Sequence, residues 1–139
     1  MIEFMKKLEN EAGKKAKNFA KRLSSRILGG SIVFKAEYHH SAQPIPLKKS
    51  IAVARTPITE GAVWGNTWES GYFKLTAAVP PEWKGKTVAA NIDLGGESLI
   101  YNEKGIPIYG LTNGSVFAAN YSKDVYRIFE PCRGGENVT

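Results

Sequence analysis

The chain has 139 residues, 42% of them hydrophobic and 23% charged, which fits one ordinary domain of about 100 to 150 residues and excludes disordered and collagen-like compositions. Its formal charge of +6 is concentrated at one end. Residues 1–28 hold Lys6, Lys7, Lys14, Lys15, Lys17, Lys21, Arg22 and Arg26 against Glu3, Glu9 and Glu11, and the rest of the chain is close to neutral. A basic stretch of this kind disfavours a nucleic-acid reader, because such proteins interleave exposed aromatics with the positive charge, and here the tryptophans lie in the neutral body.

Within that basic segment Met5, Leu8, Ala12, Ala16, Phe19, Leu23 and Ile27 recur at steps of three and four, the spacing of one stripe on an amphipathic α-helix. Leu28-Gly29-Gly30 ends it, since glycine accepts the left-handed conformation just past a helix C-terminus. The helix is assigned to residues 1–30 and a β domain to residues 31–139. Charge sits where a signal peptide would carry its apolar run, and no segment approaches the roughly 20 apolar residues of a membrane span. A cytoplasmic location with no membrane partner is therefore expected, and the lone Cys132, read as part of a tail or loop, agrees with a reducing compartment. The Lys14, Lys15, Lys17, Lys21 and Arg22 face leaves polyanion binding as a third-ranked alternative.

From Ser31 onward the period changes to two. SIVFKAEY, YFKLTAAV, TVAANIDL, ESLIY, IPIYG and VYRIF read as short strands separated by turns, the pattern of an antiparallel sandwich or barrel. The Asn102-Glu103-Lys104-Gly105 stretch has hairpin length, with Gly105 at the position that needs positive φ. Gly95-Gly96 marks a bend. The Asn-x-Ser/Thr triplets at Asn113, Asn120 and Asn137 read as turn chemistry in a chain without a leader, and Asn113-Gly114 as a turn dipeptide tolerant of positive φ.

The search for chemistry yields no catalytic residue and no metal site. His39 and His40 are adjacent and point to opposite faces of an extended strand, and no zinc-ligand spacing occurs. Asp93 and Glu97 flank the Gly95-Gly96 turn, close enough to raise glycoside hydrolysis. Acids beside such a turn commonly bond its amides, so both are read as turn-fixing. Trp64, Trp68, Tyr72 and Trp83 are the candidates for carbohydrate binding or for a domain interface. Trp64 and Trp68, four apart around Gly65-Asn66, are poorly placed for one face of a strand, which favours packing at a sandwich rim over a sugar platform. Trp83, after Pro80-Pro81, reads as a turn anchor.

The run WGNTWESGYFKLTAAVPPEWKGKTVAANIDLGGESLIYNEKGIPIYGL resembles the N-terminal region of glycoside hydrolase family 38 α-mannosidases. The resemblance lies in the order Trp64-Gly65, an aromatic pair, Val79-Pro80, Trp83, Gly85-Lys86, Asp93-Leu94-Gly95-Gly96-Glu97, Tyr101, Gly105, Pro107 and Gly110-Leu111, with Tyr72 where members often carry tryptophan. It extends upstream through AEYHHSAQPIPL and the helix. It implies a mainly β fold, an antiparallel jelly-roll-like β-sandwich preceded by an amphipathic helix, that supports a catalytic domain and subunit assembly. It implies that the parent is a retaining, metal-dependent α-mannosidase whose divalent metal, zinc or similar, belongs to that catalytic domain and not to this segment. The family's His-x-Asp metal motif has no counterpart here, and EPCRGGENVT looks like the approach to a domain junction. The implied partners are the catalytic domain of the same chain and, as a second, another copy of it. The alternative is a carbohydrate-binding module that takes mannosides through its surface aromatics.

Overall fold

The computed structural model describes residues 2–114 and 121–139, with backbone alone at 2–5, 7–8 and 23–26. It divides into two compact units, Met1–Val33 and Phe34–Thr139. The first is α1, Ile2–Ile27, which stops at the residue before Leu28-Gly29. Of its apolar stripe, Ala12, Ala16, Phe19 and Ile27 are exposed, while the side chains of Met5, Leu8 and Leu23 lie outside the described residues. No described helix is long and apolar enough to cross a membrane.

The second unit is mainly β. In chain order it comprises β1 Lys35–Ser41, α2 Leu47–Ala52, β2 Thr56–Ile58, β3 Ser70–Ala78, a 3-10 turn Pro81–Trp83, β4 Val88–Asn91, β5 Ser98–Tyr101, β6 Pro107–Leu111, β7 Val125–Phe129 and β8 Asn137–Val138. Among the described residues every strand pairing is antiparallel. The pairings form a sheet ordered β2-β1-β3-β8 and two ribbons, β4-β7 and β5-β6, the mainly β, jelly-roll-like sandwich that the strand pattern and the resemblance led to. Pro57 sits on β2 at a sheet edge, where a missing amide hydrogen does least harm. Tyr109 of β6 packs on Tyr126 of β7 with ring centroids 5.1 Å apart, and Lys123 lies 4.2 Å over the Tyr109 ring, which ties the two ribbons together.

Several boundaries differ from the sequence reading for identifiable reasons. The strand expected from Ser31 starts at Lys35, the residue opposite Thr76 and the last for which β3 supplies a partner; Ile32 and Val33 before it are exposed. α2, β2 and β8 are six, three and two residues long, too short to express a period. α2 is held by its surroundings. Arg55 donates to the carbonyls of Ser50, Ile51 and Val53 and to Tyr72 O, occupying carbonyls that the helix end leaves without partners. At Asn113-Gly114 neither residue takes positive φ; the turn is made by Thr112 Oγ1, which donates to Gly114 O at 2.8 Å. Asn120 lies outside the described residues.

The core is small. Val79, Val88 and Cys132 are buried together, with Trp83, Phe129 and Val138 packed against them. Cys132 does lie in irregular backbone, but it belongs to the core and not to a free tail, being 3% exposed with its thiol on Trp83 O at 2.8 Å. The segment around it is likewise knitted into the domain. Cys132 N donates to Lys86 O and Gly85 N to Cys132 O, both at 2.9 Å, while Val79 N donates to Glu136 O at 2.8 Å and Gly135 N to Val79 O at 2.9 Å. Glu136 caps this turn by accepting from Arg133 N, and that amide holds its carboxyl below the usual glutamate range.

Candidate functional site

Tyr72 is separated from Trp64 because β3 alternates its side chains between two faces and Trp64 packs on the neighbouring Phe73. Tyr72 pairs with His39 and Phe73 with Tyr38 in the β1-β3 register. On one face Phe73 stacks on Tyr38 at 5.9 Å, and Trp64 meets Phe73 edge-on at 5.1 Å, a favoured aromatic geometry. The Trp64 indole donates to Leu94 O at 3.0 Å. Gly71 makes room for this pair, since a Cβ there would stand 2.7 Å from both Trp64 Cζ3 and Phe73 Cε2. On the other face the Tyr72 hydroxyl accepts from Ile45 N at 2.8 Å and donates to Ile45 O at 3.2 Å. Trp83 belongs to neither group, because it packs on the Val79, Val88 and Cys132 cluster.

Trp68 is the exception, with 95% of its surface exposed. It occupies the third position of a turn closed by Glu69 N donating to Asn66 O at 3.2 Å, and its φ is +69°. That position with positive φ is ordinarily glycine or asparagine, and a bulky residue there is strained. The turn is braced from one side. Glu69 Oε2 accepts from Asn66 N at 2.6 Å, Asn66 Nδ2 at 2.9 Å and His40 Nε2 at 2.6 Å. The Asn66 amide is the main cause that lowers the Glu69 pKa, burial opposes it, and the His40 and Asn66 side chains reinforce it. The Asn-x-x-Glu spacing is a capping-box signal readable in the sequence; the contact with His40, 29 residues away, carried no such signal.

The remaining candidates are local. Asp93 Oδ1 accepts from Gly95 N at 2.9 Å and holds the bend at Gly95, whose φ is +76°. Glu97 is exposed. His39 Nδ1 lies 3.2 Å from Ala54 O, whereas His40 faces Glu69. Among the described residues no three of His, Cys, Asp and Glu are gathered where they could hold one ion. The described residues do not fit a divalent metal ion.

An antiparallel sandwich with most of its tryptophans packed within the fold describes a jelly-roll-like β module. Residues 32–139 match the family model for the α-mannosidase jelly roll domain, and the chain belongs to that family. It is 29% identical over 110 residues to α-mannosidase G of Dictyostelium discoideum, covering 79% of this chain and 10% of that protein. It is 28% identical over 90 residues to α-mannosidase 2C1 of Mus musculus, covering 65% of this chain and 9% of that protein. The chain thus spans about a tenth of the length of these curated relatives. No solved structure matches it significantly.

Proposed function

We propose that this chain is the noncatalytic N-terminal β-sandwich of a cytoplasmic α-mannosidase, a support on which the catalytic domain is assembled. The parent enzyme, on this reading, hydrolyses α-mannosides with retention and holds its divalent metal in the catalytic domain. The observation that carries the reading is the fate of the aromatics. Trp64, Tyr72 and Trp83 are spent on three separate packing groups, and the acids that could act on a glycosidic bond are a turn brace, Asp93, and an exposed surface group, Glu97. A mannoside-binding module would draw on several rings converging with polar groups, and of the four candidate rings here Trp68 alone is exposed.

The chain by itself is expected to release nothing from a chromogenic α-mannoside, with or without added zinc or cobalt. Turnover above blank that disappears in Asp93→Asn or Glu97→Gln would overturn the proposal.

A further inference from the structure

We infer that the Asn66–Glu69 turn is a docking peg that inserts Trp68 into an apolar socket on the catalytic part of the same α-mannosidase polypeptide. This rests on the function proposed above and deepens it by naming the contact.

The first observation is that a tryptophan with 95% of its surface in solvent stands in a backbone conformation, φ +69°, that suits glycine. Packing within this domain cannot be the reason for it. Strain of this kind, held in place by its surroundings, clusters where a side chain must be presented to something else. The second is that the turn is pinned at both ends. Glu69 is fixed by Asn66 and His40, and Trp64, two residues before Asn66, is anchored on Phe73 and Leu94 O. A turn backbone already ordered loses little entropy on docking.

The chemistry around the indole favours a protein socket over a sugar. The Asn66 Nδ2 and the Glu69 carboxylate face each other, and His40 Nε2 is taken up by the same carboxylate. These donors are thus engaged with the Glu69 carboxylate instead of being held out to orient a hydroxyl-rich ligand. Val63, immediately before Trp64 in the chain, is 96% exposed and is a second apolar side chain in the same segment. Tryptophan is enriched among the residues that dominate interfaces, seated in desolvated pockets. The occupant follows from length. The curated relatives are about ten times longer than the region matched, so an enzyme of that kind keeps most of its surface in the same polypeptide at high effective concentration.

The test is Trp68→Gly, made both in this chain alone and in the continuous α-mannosidase that contains it. Glycine relieves the positive-φ strain, so the isolated chain should melt at the same or a higher temperature. In the continuous enzyme the same change should loosen the domain, with limited proteolysis between it and the catalytic part accelerating by about tenfold or more, the scale of losing one interface anchor. Val63→Ser should act in the same direction and more weakly. Unchanged proteolysis in an active continuous enzyme would overturn the peg and leave the proposed function standing. A concentration-dependent association of the isolated chain, or a saturable response to α-mannose oligosaccharides, abolished by Trp68→Gly would also overturn it, in favour of a second copy or a sugar. If no continuous chain with α-mannosidase activity contains this domain, the proposed function fails first and the peg with it.

Discussion

Gly134 and Gly135 offer a matched pair for measuring how firmly the 131–136 segment closes on the core. Both have positive φ, +81° and +86°. An added Cβ at Gly134 would stand 2.5 Å from the Pro81 carbonyl oxygen, whereas at Gly135 it would meet nothing within 4 Å. Gly135→Ala therefore carries only the left-handed backbone term, about 1–2 kcal/mol. Gly134→Ala carries that term plus overpacking against backbone that cannot rotate away, a further 1–3 kcal/mol or so, for a total of about 2–5 kcal/mol. Urea denaturation followed by tryptophan emission would measure both, with stability read from the midpoint at constant slope. Equal losses in the two variants would refute the close approach of Gly134 to Pro81, and with it the view that residues 131–136 are packed tightly on this domain.

Trp64→Phe keeps the ring contact with Phe73 but loses the donor to Leu94 O, so it should cost about 1 kcal/mol in the same denaturation assay. Gly71→Ala should cost about 1–3 kcal/mol through the 2.7 Å approach to Trp64 and Phe73, and the near-ultraviolet circular dichroism of the tryptophans should change with it. Glu69 and Glu136 both have lowered pKa values, so each contributes stability that is present above the ordinary glutamate value and is lost as pH falls through the lower, folded value. Urea midpoints should accordingly decline on acidification below about pH 4, and Glu69→Gln should flatten part of that decline.

β7 was legible to the residue because VYRIF carries its period between turn signals, and the β5-β6 hairpin because Gly105, with φ +72°, stands where the turn demands it. β3 was legible from the alternation in YFKLTAAV, and the separation of Trp64 from Trp68 from the turn at Gly65-Asn66. α2 and β8 were not, since each is stabilised by partners distant in the chain: Arg55 bonding to Tyr72 O for one, and β3 residues Ala77 and Ala78 for the other. The burial of Cys132 had no local signal either, because it comes from Trp83 and Val88 folding over it. The strain at Trp68 was hidden for the opposite reason. Sequence rules place glycine or asparagine at such a position, and the departure from that rule is what distinguishes the turn.

The direct test of a passive scaffold is a titration of the isolated chain with α-linked mannose oligosaccharides while its tryptophan emission is followed. The account predicts no saturable change, because Trp64 and Trp83 are engaged within the fold and Asn66 Nδ2 and His40 Nε2, at the turn that carries Trp68, are already bonded to Glu69. A saturable shift with 1:1 stoichiometry, reduced by replacement of Trp64, Trp68, Tyr72 or Trp83 in variants that remain folded, would contradict it.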